Sequence, residues 1–180
     1  KEAGSDEWIG FDADMAKAFA ESLGVDVEFQ EITWDYKVEE LDSKAIDCVW
    51  NGMTLGEDVM AAMGTSVPYC TNAQVLVVPA DKAADFEGLT SLEGLNVAVE
   101  VAAGTSDAAI IDLLMAGAMI GEGTSYEDLT FTLNLNDAQG LPSEEYGVGF
   151  RKGSDLVDAF NEFWAEKVSD GTVLETATTY

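Results

Sequence analysis

The chain has 180 residues, 47% of them hydrophobic, and carries 35 acidic residues against 8 basic ones with no histidine, for a formal net charge of −27. That length suffices for the core of one domain or of two small lobes. A surface this acidic repels nucleic acid and anionic membranes, and no run of about 18 apolar residues offers a bilayer-spanning segment.

Further classes fall away on residue type. Without histidine the usual acyl-transfer triads cannot be built, and Cys48 and Cys70 alone make no zinc site. The glycine patterns that cradle dinucleotides and phosphates are absent. Acids such as Asp107 and Asp112 would serve acid–base work only by a chance pairing, so neither catalysis nor a cofactor is expected. In an exported protein Cys48 and Cys70 could pair; in a reduced setting both would pack as buried thiols. The chain opens without a signal peptide, as the mature form of a secreted protein does.

In chain order, residues 1–7 are polar and predict no element. Phe11, Met15, Ala18, Phe19 and Leu23 recur at helical spacing, and Gly24 supplies the cap that ends the helix. Val25, Val27 and Phe29 alternate with Asp26 and Glu28, which predicts a strand. Thr33-Trp34-Asp35-Tyr36 leads into a second helix. Residues 46–50 form an apolar run broken by Asn51-Gly52-Met53-Thr54, which predicts strand, tight loop, and then a helix over 57–63. Glu57 and Asp58 suit the positive end of that helix. Gly52 lets backbone come close to a guest, and Asn51 and Thr54 offer small polar side chains beside it. A ligand fits at such a switch, outside the carboxyl end of a strand, although the same residues also fit an ordinary strand-to-helix turn.

Residues 74–78 are continuously apolar, the pattern of a buried strand. The stretch 80–88 is polar, Ser91 can cap a turn, and 96–101 predicts a strand. Residues 101–123 read locally as strand, glycine turn and helix, with Ser106 or Asp107 as N-cap. Residues 130–134 predict a strand, 136–145 a polar loop, and 146–151 a strand whose Gly147 and Gly149 suit close backbone approach. Ser154 caps a last helix with the apolar stripe Leu156, Val157, Phe160, Phe163, Trp164 and Val168, a core face.

Several of these stretches carry a resemblance. IDCVWNGMT, a short helix and then S-x-PY is similar to the first-lobe signature of extracellular solute-binding proteins, family 3, the amino-acid class of ABC-transporter binding proteins. GFDADMAKAFAESLGVDVEF (10–29) resembles that family's first helix and next strand, and ITWDYKVEELDSKAID (32–47) its aromatic loop and second helix. LTSLEGLNVAVE (89–100) resembles the start of the second lobe, and GTSDAAIIDLLMA (104–116) that lobe's late strand. YGVGFRKGSDLVDAFNEFWAEKVSDGT (146–172) resembles the return crossing and C-terminal helix. Each stretch alone is a weak signal; the ordered set is specific.

The resemblance implies an α/β fold, periplasmic-binding-protein-like type II, in two lobes with a reduced second lobe. Residues 1–77 with 150–180 would form the first lobe and 78–149 the second. It makes GTSDAAIID a strand and LLMAGAMIG the helix after it. It also implies that the family's first strand precedes Lys1, and that a strand, a Gly-Thr loop and a helix are missing between Glu100 and Val101. The expected protein is exported, periplasmic or held at the cell surface as a lipoprotein. It would capture a small polar solute, an amino acid or relative, by closing two lobes on it, and deliver it to an ABC permease. The alternative is a shortened, non-binding structural or interaction module of the same fold, which would cover its sheet edges by swapping segments in a homo-oligomer.

The same resemblance assigns site residues. Trp34 would lay its ring on the ligand. Gly52 and Thr54, with Asn51 beside them, would meet an anionic or carbonyl group, and Asp112 would face an ammonium. The family's arginine fork, whose shape matches a carboxylate, falls on Val59. The only arginine, Arg151, lies in the crossing strand.

The charge makes one prediction of its own. Screening relieves self-repulsion, so the melting temperature should rise between low and moderate sodium chloride. A flat or falling melting temperature contradicts this. Chloride is the anion to use, because sulfate also strengthens apolar burial.

Overall fold

The computed structural model describes residues 7–98, 106–121 and 123–180. In chain order the elements are α1 (Phe11–Leu23), a 3-10 turn at Trp34–Tyr36, α2 (Lys37–Asp42), β1 (Cys48–Thr54), α3 (Glu57–Ala62), β2 (Gly64–Thr65), β3 (Cys70–Asn72) and β4 (Gln74–Pro79). After them come α4 (Ala83–Phe86), β5 (Val97–Ala98), β6 (Ala108–Asp112), α5 (Leu113–Met119), β7 (Leu129–Asn134), α6 (Leu135–Gln139), β8 (Glu144–Phe150), α7 (Leu156–Ser169) and α8 (Thr172–Ala177). The chain divides into two compact units, Lys1–Cys70 with Glu145–Tyr180, and Thr71–Glu144. The sequence boundaries at 77/78 and 149/150 would have put most of β4 in the first lobe. Its strand partners, β6 and β7, belong to the second unit and take β4 with them.

In the first unit β8 runs antiparallel between β1 and β2. Its glycines let neighbours close in. A Cβ on Gly149 would lie 2.7 Å from Met63 Sδ and 2.8 Å from Met53 Cε, and one on Gly147 would lie 2.6 Å from Leu55 Cδ2. On one side, α1 and α7 bury Met15, Phe19, Phe160, Phe163 and Trp164 against Val148 and Phe150. Phe160 sits within 5.1–6.3 Å, centroid to centroid, of Phe19, Trp50, Phe150, Phe163 and Trp164. A second cluster holds Leu41, Val49, Met53 and Met63.

Helix α1 ends on Gly24 in the left-handed conformation, as its spacing predicts. Val25 to Phe29 forms no strand: the stretch has no ladder partner among the described residues, and Val25 is 58% exposed. Alternation alone does not make a strand without a neighbour to complete its hydrogen bonds. Residues 51–54 are not the expected loop. They stay in β1, which bulges: four steps from Val49 to Met53 face two steps, Gly149 to Gly147, on β8. Near the chain's end, Val168 is 56% exposed and lies outside the core that its stripe suggested.

A polar network pins the bulge. The Gly52 N–H donates to the Tyr69 hydroxyl at 3.2 Å, and that hydroxyl donates to Asp12 Oδ2 at 3.2 Å. Burial pushes the Asp12 carboxyl above its ordinary value of 3.8, while Tyr69, the Trp50 indole and the Gly52 N–H pull the other way. Tyr69 is pushed up in turn, first by burial and then by the Asp12 charge.

In the second unit the strand order is β5-β6-β4-β7. β4 is buried on both faces. Val75 and Val77 pack with Ile111 and Ala116, and Leu76 and Val78 with Phe86 and Ala108. β4 is antiparallel to β6 and β7, whereas β5 is parallel to β6. The expected break between Glu100 and Val101 lies outside the described residues. Of the two readings of 101–123, the family-like one matches: 108–112 is a strand and 113–119 the helix. The expected loop at 136–145 contains α6, capped by Asn134 and ended by Gly140 in the left-handed conformation.

Two outcomes follow for the first unit. Phe160→Ala opens a cavity among five rings and should cost about 3–5 kcal/mol, whereas Val168→Ala should stay within about 0.5 kcal/mol. Urea unfolding checks both, and a loss below about 1 kcal/mol at Phe160 contradicts the packing described. Asp12 supplies a pH dependence. A carboxyl with a raised folded pKa favours the folded state most at pH below its unfolded value. That contribution is lost as pH rises through the folded value. Asp12→Asn should therefore improve in stability relative to the wild type as pH climbs from below 3.8 toward neutrality. A constant difference, or one of opposite slope, contradicts the assignment.

Candidate functional site

Each unit contributes its own group of candidate residues. In the first, Trp34 opens the 3-10 turn that leads into α2 and is 40% exposed, so its ring is no core residue. Lys37 Nζ lies 4.9 Å from the ring centroid and donates to the Trp34 carbonyl at 3.3 Å. A cation from the same chain therefore already uses the negative face of the indole.

Asn51 and Thr54 are exposed along β1. Between them Gly52 adopts φ 57°, and a Cβ there would come within 3.1 Å of the Tyr146 ring. Glycine is needed at that position for both reasons. The sequence reading made Gly52 a backbone donor to a guest. Its N–H is instead taken by Tyr69. The space that a side chain would fill at Gly52 is taken by the Tyr146 ring.

Val59, on which the resemblance places the arginine fork, packs against the cluster of Leu41, Val49, Met53 and Met63. Arg151 is a structural cation. Its Nε donates to the Leu41 carbonyl at 2.8 Å and its Nη2 to the Ile46 carbonyl at 3.5 Å. Cys48 and Cys70 are not joined in a disulfide, and burial pushes the Cys48 thiol up to about 11, which makes it inert. Among the described residues no cluster of three metal-ligating side chains occurs.

In the second unit Asp112 closes β6 directly opposite Gln74 of β4. Its Oδ1 accepts from Gln74 Nε2 at 2.5 Å and from Asn72 Nδ2 at 3.0 Å. The same two amides reach Glu144, Asn72 at 2.9 Å and Gln74 at 3.3 Å. Two acids and two amides thus form one polar cluster at the β3, β4, β6 and β8 termini. Asn72, Gln74 and Glu144 escaped the sequence reading. The available signal was a polar residue, Gln74, opening an otherwise apolar strand. Asp107 does not point free into solvent: its Oδ2 accepts the Asn96 N–H at 3.0 Å and tethers the start of β6 near β5.

Comparison with known proteins completes the description. The L-cystine-binding protein TcyJ of Escherichia coli is 28% identical over 190 residues, covering 91% of this chain and 71% of that protein. The L-cystine-binding protein TcyA of Bacillus subtilis is 30% identical over 194 residues, 94% of this chain and 71% of that protein. The arginine-binding extracellular protein ArtP of Bacillus subtilis is 28% identical over 200 residues, 92% and 75%. Among solved structures, a mutant ArgBP from T. maritima superposes with a TM-score of 0.79 at 26% identity, over 100% of this chain and 87% of that one. An ancestral arginine-binding protein bound to arginine gives 0.77 at 25% identity, over 100% and 90%. The fold is thus the α/β fold of type II periplasmic binding proteins. Bacterial extracellular solute-binding proteins, family 3, is also the family whose description residues 2–180 match, and the chain belongs to it.

Proposed function

We propose that this protein captures an amino acid or a close relative bearing a cationic nitrogen, outside the cytoplasmic membrane, and delivers it to an ABC permease. The observation that carries the reading is Asp112. It is a partly exposed carboxylate at a strand end, held by two amide donors and making no ion pair among the described residues. An ammonium group supplies the charge such a carboxylate lacks, and the contact is charge-assisted. The names of the relatives, binding proteins for cystine and for arginine, support the same ligand class.

On the first unit, Trp34 would provide an aromatic wall and Asn51 and Thr54 polar contacts, with Gly52 setting the left-handed turn of backbone between them. With Val59 in place of an arginine fork, the ligand's carboxylate receives weaker recognition than its cationic end. Selectivity would then favour ligands rich in nitrogen or lacking a free carboxylate. No helix of the described residues is long and apolar enough to cross a membrane, in keeping with work in solution beside a permease.

The test is a thermal-shift panel of L-arginine, L-cystine, L-histidine and L-glutamine, since a ligand of the native state raises its apparent stability. At least one should raise the melting temperature. For that ligand Asp112→Ala should weaken calorimetric affinity by roughly ten- to a hundredfold, the worth of about 1.5–3 kcal/mol for a hydrogen bond to a charged group. Asp107→Ala, which releases only the Asn96 N–H, should weaken it far less. An unchanged affinity in Asp112→Ala contradicts the assignment of the acceptor. A panel without any shift favours the non-binding module, a reading supported by the strand-like stretch 25–29 that lacks a partner strand among the described residues.

A further inference from the structure

An aspartate that precedes a helix ordinarily turns its carboxylate back onto the first free N–H groups. Asp112 stands at the N-cap of α5 and does not do this. The Leu113 N–H goes to the Ala73 carbonyl at 2.8 Å, and the Leu114 N–H goes to Asn72 Oδ1 at 3.4 Å. Asn72 is 1% exposed and therefore must satisfy its amide within the protein. Its Oδ1 faces the helix, so its Nδ2 hydrogens point the other way, one to Asp112 Oδ1 and one to Glu144 Oε2. Gln74, opposite Asp112 in the ladder, repeats the bridge from the partly exposed side.

We propose that Asn72 is the positioning residue of the ligand site: it caps α5 in place of Asp112, bridges Asp112 to Glu144, and so keeps the Asp112 carboxylate off the helix and available to a cationic ligand group. This rests on the reading of Asp112 as the ammonium acceptor. The physical gain is preorganisation. A carboxylate already fixed by two donors loses little freedom when the ligand arrives. Glu144 has the complementary part. It accepts the second hydrogen of each amide, and without it a buried Asn72 hydrogen would lack an acceptor, which would favour turning the amide around.

The crystal structure of Asn72→Ala is the direct test. With the substitute cap gone, the Asp112 side chain should rotate onto the Leu114 N–H; an Asp112 that stays beside Gln74 overturns the proposal. Should loss of the buried amide prevent folding, Gln74→Met keeps the strand's backbone bonds and side-chain length while removing one donor. Calorimetry with L-arginine, L-cystine and L-histidine supplies the second readout. Each variant should weaken binding by about tenfold when Asp112 is present. Neither should change it further in an Asp112→Ala background, because a residue acting through Asp112 has nothing left to act on. Equal losses in both backgrounds mark a merely structural role and overturn the proposal. If the wild type binds none of the three, the functional reading fails, and the position of Asp112 in the variant crystal decides the positioning claim by itself.

Discussion

The register of β4 against β6 is the constraint on which the second unit depends. β4 is apolar on both faces, so its two sides must each meet a matching layer. A slip by one residue would exchange the faces, turning Val75 and Val77 toward the layer that receives Leu76 and Val78. The register that satisfies both layers sets Gln74 opposite Asp112. Everything polar at this end of the sheet follows from that pairing. Asn72 precedes β4 by two residues and caps α5, and Glu144 opens β8 within reach of both amides. Apolar burial, which carries no chemical information, thus decides where the chemically informative side chains meet.

The first unit shows the same logic with different means. Glycines 147 and 149 bring β8 under Leu55, Met53 and Met63, and the bulge in β1 absorbs the two residues that do not fit the ladder. Those residues present Asn51 to solvent. The bulge is fixed from inside by Tyr69 and Asp12, a partly buried hydroxyl and a reluctant carboxylate. A strand bulge built this way is stiff, because any movement of Gly52 would break a partly buried hydrogen bond and press against the Tyr146 ring.

Much of the fold was legible in the letters. The spacing of Phe11, Met15 and Phe19, the cap at Gly24 and the stripe on α7 all follow from helix geometry, and the apolar run of β4 is a plain strand signal. What failed did so for want of neighbours. Val25 to Phe29 alternates correctly yet has no strand beside it. Asn51-Gly52 looks like a loop because a bulge and a turn use the same residues. The candidate site was legible in part. Asp112, Trp34 and the 51–54 segment could be named by resemblance. The capture of the Gly52 N–H by Tyr69, and the amide bridge through Asn72 and Gln74, depend on contacts 17 to 72 residues apart that no local pattern encodes.

The central claim is that Asp112 receives the α-ammonium group of the ligand. The most direct measurement is calorimetric titration of the intact chain with whichever of L-arginine, L-cystine and L-histidine stabilises it most, beside the same compound N-acetylated. Acetylation removes the ammonium charge and leaves the rest of the ligand in place. At least a tenfold weaker affinity for the acetylated form is predicted, on the order of one lost charge-assisted contact. Equal affinity for the two forms would contradict the account.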